Sequence, residues 1–253
     1  MHEKRPTVEM IDQLALFLIL ACIAEIAGTL TGFGSSILFV PLATLFFDFQ
    51  TVLGITAVFH VMSNVVKILL FWRGVEWKIV VQLGIPAVLF VSLGAYMTQW
   101  WSPEFLTLVM NISLGTLAFL LYRFPTFRWP TTPFYLGLSG VISGGLAGLT
   151  GSGGAVRGLA LAALHLSKHA YISTSAWIDL GVDLSRALIY TQQGYFKSEH
   201  LVYLPGLLVA SVLGSWLGKK GLNFISENVF RGLVLAAVTL SAAIQIYTYF
   251  SAR

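Results

Sequence analysis

Thr31-Gly32-Phe33-Gly34-Ser35 and, 119 residues later, Thr150-Gly151-Ser152-Gly153-Gly154 are the two stretches that decide how this chain reads. The same offset of 119 sets Asn64 against Asp183, Lys67 against Arg186, Phe71 against Tyr190 and Pro86 against Pro205. One residue more pairs Gly74 with Gly194 and Gly94 with Gly214. Several of these matches are polar residues inside apolar helices, which shared composition alone rarely produces. The chain therefore reads as two homologous halves. A tail (1–13) precedes the first (14–122), and a linker (123–132) with Pro and Arg leads to the second (133–253).

The first segment of each half is unusual. Residues 14–47 and 133–166 are each 34 long, too long for one straight span and long enough for two half-helices. Gly28, Gly32 and Gly34 interrupt the first; Gly144, Gly145, Gly148, Gly151, Gly153 and Gly154 interrupt the second. Glycine-interrupted segments at matching places in two halves point to a transporter binding site. Small residues also serve simply to let helices pack closely, and Gly140, Gly144 and Gly148 fit that plainer use. The run Gly151-Ser152-Gly153-Gly154 does not, because it weakens the helix itself. A break is expected there.

Working outward, the whole of the 253-residue chain has a membrane composition. It is 57% hydrophobic and only 10% charged, where a soluble domain carries about 25%. So few charges cannot cover the surface of a water-soluble globule, which excludes a soluble enzyme, a nucleic-acid module and a disordered chain. The net charge of +4 comes from bases scattered one or two at a time, as in loops that orient membrane segments. Eight apolar segments recur: 14–47, 49–66, 79–103, 105–122, 129–156, 171–190, 201–218 and 232–252. The expected fold is an all-α polytopic membrane protein of two repeats, each a Gly-broken, re-entrant first segment followed by three spans. Met1–Arg5 before an apolar run faintly resembles a signal peptide. The apolar stretch continues well past it, so the first segment is expected to be retained. Cys22 is the single cysteine, so no intrachain disulfide can form. Trp72, Trp77, Trp100, Trp101 and Trp129 lie at segment ends and read as interfacial anchors.

Basic residues set the topology. In the first half Arg73 and Lys78, then Arg123 and Arg128, mark alternate loops as cytoplasmic. In the second half Lys168, Lys197 and the Lys219-Lys220 pair follow successive segments, out of phase with simple crossing. If the fifth segment re-enters, Lys168 and Lys219-Lys220 fall inside and only Lys197 and Arg253 oppose the rule. The same logic puts Lys4 and Arg5 outside. Inverted repeats are therefore preferred to the alternative, eight spans in parallel repeats.

The polar residues buried in apolar sequence are the candidate machinery. Asp179, Asp183 and Arg186 share one helix face, and His60, Asn64 and Lys67 share the matching face of the other half. Charges in a span are costly and usually line a cavity, so these two faces are expected to meet. Asp183 and Arg186 could also simply neutralise one another. Arg157 follows Gly154 by three residues. Beside a broken helix, whose freed N–H groups attract anions, its guanidinium would add bidentate recognition of an oxyanion. At the surface it would only snorkel to headgroups. Glu25 is either a carrier for a coupling proton or a partner for a neighbouring helix. His165 and His169 have metal-pair spacing, but without a nearby acid or Cys they read as interfacial; no metal and no cofactor is expected.

At these paired segments the sequence resembles the TauE/SafE sulfite-exporter family, also called the toluene-sulfonate uptake permease family. The likeness is carried by Gly28-Thr-Leu-Thr-Gly-Phe-Gly-Ser-Ser-Ile-Leu-Phe-Val-Pro41 and Gly144-Gly-Leu-Ala-Gly-Leu-Thr-Gly-Ser-Gly-Gly154. The family's pattern is a Gly-x-Gly-Gly-Gly run, an apolar stretch and often Pro, once per half. Ser35 and Ser36 stand where it has glycine, and Ala160 where the second Pro would be. The resemblance implies a permease for a sulfur-containing anion such as sulfite or a sulfonate, in a bacterial inner membrane.

Residues and resemblance together give a secondary transporter working by alternating access. The anion is expected on Gly32, Gly34, Ser35, Ser36, Gly151, Ser152, Gly153, Gly154 and Arg157. Glu25, His60, Asn64, Lys67, Asp179, Asp183 and Arg186 would line the pathway or couple transport. An anion channel and a non-transporting membrane scaffold are the rivals. An intramembrane enzyme is disfavoured, since no nucleophile–base pair or metal cluster stands out. The partners are a small anion and the bilayer, with no nucleic acid. The coupling ion, proton or sodium, and a homodimeric assembly are left open.

Overall fold

The computed structural model describes residues 6–32, 34–123, 130–222, 224 and 229. The eighth apolar segment, 232–252, lies outside them, as do Lys4, Arg5, Arg128, Trp129 and Arg253. The described chain is all helical: α1 (Pro6–Thr31), α2 (Ser36–Ala43), α3 (Phe49–Leu70), α4 (Trp77–Ile79), α5 (Ile85–Met97) and α6 (Pro103–Arg123) come first. Then follow α7 (Pro133–Thr150), α8 (Gly154–Ala162), α9 (Lys168–Gln192) and α10 (Leu204–Gly221). A π-helical turn, Val80–Gly84, joins α4 to α5 without a loop. Asp12–Thr31, Phe49–Leu70, Trp77–Trp100 and Ser198–Gly221 are each long and apolar enough to cross a bilayer.

The starts and stops are written locally. Asp48 caps α3 by accepting from the Thr51 N–H at 3.0 Å, and Ser167 caps α9 by accepting from Ala170 at 3.2 Å. Pro86 follows the π turn directly and Pro205 follows the 3-10 turn Ser198–Tyr203, each as the second residue of its helix, α5 or α10. Both breaks use left-handed glycine: Gly32 has φ +67° and Gly151 φ +75°. After the first break the chain turns back on itself. The Phe17 ring on α1 meets Phe46 and Phe47, beyond α2, at 5.5 and 5.3 Å. The second break is folded alike, with Gly153 pressed against Ser143 and Ala147 of α7.

Three helix pairs make the bundle. α3 and α9 lie antiparallel at its centre, with His60 beside Arg186 and Asn64 beside Asp183. α1 runs parallel to α10, and α5 runs parallel to α7. In the second pair Gly140, Gly144 and Gly148 sit against the carbonyls of Leu83, Ala87 and Val91, one turn apart on each helix. In the first, Gly206, Gly214 and Gly218 fit against Leu18, Glu25 and Thr29. This is the small-residue packing that lets helices approach where lipid gives no hydrophobic drive. An added methyl at Gly144 would overlap the Ala87 carbonyl, whereas Gly145 faces open space. Gly144→Ala should therefore cost about 1–3 kcal/mol of stability, as overpacking does. Gly145→Ala should be neutral or slightly stabilising; thermal unfolding of the two variants in one detergent checks this.

The surface is inverted relative to a soluble protein. Ile19, Leu89, Leu93, Ile112, Leu208 and Val209 are exposed, while α9 buries Asp179, Asp183 and Arg186. Such a surface belongs in lipid, and the protein is an integral membrane protein. Basic groups collect at one end of the bundle. Lys168 reaches the Leu222 carbonyl at 3.0 Å, and Lys219 reaches that of Leu70 at 2.7 Å while lying over the Phe71 ring. The other end carries Phe17, Phe47 and Tyr203 packed edge to face, and the Thr98–Gln193 bond at 3.1 Å.

Candidate functional site

Halfway along α3 and α9 the helices part around a small cavity. His60 is the twelfth of the 22 residues of α3, and Asp179 the twelfth of the 25 of α9. The wall is built from Gly34, Ser35 and Ser36, from Gly151, Gly153, Gly154 and Arg157, and from His60, Asn64, Lys67, Asp179, Asp183 and Arg186. Ala147 and Val182 complete it. The N-termini of α2 and α8 thus converge on the same space from the two breaks, each bringing the positive end of its backbone dipole. The cavity holds about 20 Å³, enough for a water molecule but not for an organic anion without side-chain movement.

The ionic groups form two linked clusters. Glu25, with no exposed surface, takes a salt bridge from Lys67 at 2.8 Å and hydroxyl donors from Ser63 at 2.6 Å, Ser215 at 2.9 Å and Ser35 at 2.7 Å. Asp183 accepts from Arg186 Nε at 2.8 Å and from Asn64 at 2.7 Å. Arg186 also donates to the Gly151 carbonyl at 3.2 Å, tying α9 to the second break. Its Nη2 lies 3.0 Å from His60 Nδ1. A guanidinium only donates, so His60 Nδ1 must accept there and its proton must sit on Nε2. His60 Nε2 then donates to Ser35 Oγ at 2.9 Å, and Ser35 passes its own proton toward Glu25. The two clusters are thereby one hydrogen-bonded chain across three helices and a break.

Arg157 stands apart from this satisfied network. It is 5% exposed and ion-paired through Nη2 to Asp179, whose other oxygen accepts from Ser175 at 3.0 Å. Its Nε and Nη1 are buried without a hydrogen-bond partner. Buried guanidinium donors are costly to leave unpaired, and these lie at the cavity wall.

A family model described as Sulfite exporter TauE/SafE matches residues 16–244. The chain belongs to that family. It is accordingly a membrane transporter and not an enzyme. No curated protein and no solved structure matches it.

In this TauE/SafE member the two sequence stretches that carry the family likeness are the two breaks that meet at the cavity. Most of the residues singled out from sequence lie on its wall. Gly32 and Ser152 do not: Gly32 abuts the Tyr171 ring, which leaves no room for a Cβ, and Ser152 bonds to Thr150 at 2.8 Å. Glu25 is one layer back, behind Lys67 and Ser35. Gly28, Gly144 and Gly148 are helical and serve close packing. Trp72, Trp77 and Trp100 are exposed, whereas Trp101 packs on the core. Among the described residues no group of His, Cys, Asp and Glu could hold a metal. Sequence reasoning missed Ser63, Ser175 and Ser215, which complete the carboxylate shells of Glu25 and Asp179. A serine in an apolar helix usually bonds back to its own helix, as Ser211 does at 2.9 Å, so no sequence signal marked these three.

Proposed function

We propose that this TauE/SafE transporter moves a small sulfur-containing oxyanion, such as sulfite or a sulfonate, and binds it on Arg157 between the ends of α2 and α8. The observation that carries this reading is the pair of unpartnered Arg157 donors, Nε and Nη1, buried at a mid-membrane cavity. A guanidinium presents parallel N–H groups that match two oxygens of such an anion. The backbone of Gly34–Ser36 and Gly151–Gly154, with the dipoles of α2 and α8, supplies the remaining positive potential. Lys67, Asn64, Asp179, Asp183 and Arg186 line the route.

We read the movement as alternating access of two inverted repeats, 14–122 and 133–253, in a bacterial inner membrane. Several pairings support that plan. Gly32 and Gly151 are both left-handed, as are Gly74 and Gly194. α1 lies on α10 as α7 lies on α5, with Gly214 and Gly94 at the two contacts. The corresponding helices α3 and α9 run antiparallel side by side, which a two-fold axis in the membrane plane would produce. Arg73, Lys78, Lys168 and Lys219 gather toward one end, which by the positive-inside rule is cytoplasmic.

The test is thermal stability of the purified protein against sulfite, thiosulfate, alkyl sulfonates, sulfate and simple carboxylates. A ligand of the folded state at a hundredfold excess over Kd adds about 2.7 kcal/mol. A shift confined to sulfur oxyanions is the expected result; a shift with carboxylates alone, or with no anion, overturns the substrate class.

A further inference from the structure

We infer that each singly charged anion moves together with one proton, and that His60 Nδ1 is where the proton binds. The inference rests on the anion site proposed above and adds the coupling ion and its residue. The cavity wall and Glu25 behind it hold three cations, Lys67, Arg157 and Arg186, against three acids, Glu25, Asp179 and Asp183. With His60 neutral the site is already balanced, so a bare anion would add an uncompensated charge in mid-membrane, which is costly.

Each acid is committed. Glu25 is held by Lys67 and three serines, Asp183 by Arg186 and Asn64, and Asp179 by Arg157 and Ser175. None offers a free oxygen set for sodium, which as a hard cation needs several oxygens at once. Among the described residues on the wall, His60 is the one titratable side chain outside an ion pair. It is faced by Arg186 and Asp183 from α9, by Arg157 from α8, by Lys67 from its own helix, and by Glu25 of α1 through Ser35.

The geometry says what protonation does. A proton from water placed on Nδ1 sets two donors against each other, since Arg186 Nη2 lies 3.0 Å away. That bond must break. Arg186 is held on Asp183 through both Nε, at 2.8 Å, and Nη2, at 2.7 Å, so the protonated His60 ring gives way and turns its Nδ1–H toward the cavity. The wall then carries one excess positive charge, and a monoanion restores neutrality. Proton and anion thus each favour the other's binding, which is the linkage a symporter needs. After the turnover the anion leaves on the far side, His60 returns its proton to water there, and the Arg186 bond reforms.

The experiment is titration calorimetry of the full chain in detergent, in two buffers of different ionisation enthalpy, with methanesulfonate as the probe. That anion keeps a single charge across the range, so any proton taken up belongs to the protein. Uptake approaching one proton per anion is expected, with affinity tightening up to about tenfold per unit fall in pH above the His60 pKa. His60→Asn, whose carbonyl can still accept from Arg186, should bind as weakly as the wild type does at high pH, with no proton uptake and no pH dependence. Binding without proton uptake in the wild type, or unchanged uptake in His60→Asn, overturns the inference and leaves the anion site standing. Absence of binding with methanesulfonate, sulfite and thiosulfate alike overturns both.

Discussion

Replacing Arg157 by lysine is expected to leave a folded, membrane-inserted protein that has lost at least tenfold, and up to about a hundredfold, of its affinity for sulfur oxyanions. Lysine keeps the charge opposite Asp179 and loses the planar fork, so the effect isolates bidentate geometry. A charge-assisted hydrogen bond contributes about 1.5–3 kcal/mol, which sets that range. Arg157→Ala is a harsher change. It strands Asp179 in a buried site, and breaking such a pair costs about 3–5 kcal/mol of stability. Arg157→Gln combined with Asp179→Asn removes both charges and should recover much of that stability while transport stays absent. Thermal unfolding read beside anion binding separates the two effects. Full stability together with full binding in Arg157→Lys would remove the guanidinium from the site.

Lys67→Met should destabilise the protein about as much as Arg157→Ala does. Glu25 has no exposed surface, and without Lys67 only hydroxyls would face its charge. The expected loss is about 3–5 kcal/mol. Adding Glu25→Gln should restore most of it, because a neutral amide can use the same serines. Unfolding of the two single variants and the double variant forms a cycle whose coupling measures the pair. Additive losses, with no recovery in the double variant, would show that Glu25 and Lys67 do not depend on each other.

These two pairs also show how much the sequence revealed. The faces His60-Asn64-Lys67 and Asp179-Asp183-Arg186 stood out because polar residues at helical spacing are conspicuous against an apolar background. The structure sets those faces together, with Asn64 bonded directly to the residue 119 positions away with which it aligns. The breaks were legible for a local reason, since Gly32 and Gly151 take a backbone conformation that glycine adopts at little cost. Atom-level partners were not legible. Asp183 and Arg186 do neutralise one another, as the plainer reading had it, yet Arg186 also bonds to His60 and to the Gly151 carbonyl. Arg157 meets Asp179 across two helices, and Glu25 meets Ser215 from 190 residues away. Such partners depend on how helices stack, which helical periodicity cannot report.

The π turn at Val80–Gly84 was equally invisible. It lies where α4 and α5 pass α7 and α9, with Gly84 against Ile178 and Leu83 under Gly140. One extra residue per turn there changes which side chains of α5 face α7, and nothing in the local composition announces it.

The central claim is that the mid-membrane cavity is an oxyanion site used for transport. Counterflow in proteoliposomes tests it most directly: vesicles containing the purified protein are loaded with unlabelled sulfite, and entry of labelled sulfite from outside is followed. Saturable accumulation in wild-type vesicles, absent from protein-free vesicles and from Arg157→Lys, is the result predicted here. Entry no faster than in protein-free vesicles, or equal entry with Arg157→Lys, would contradict it.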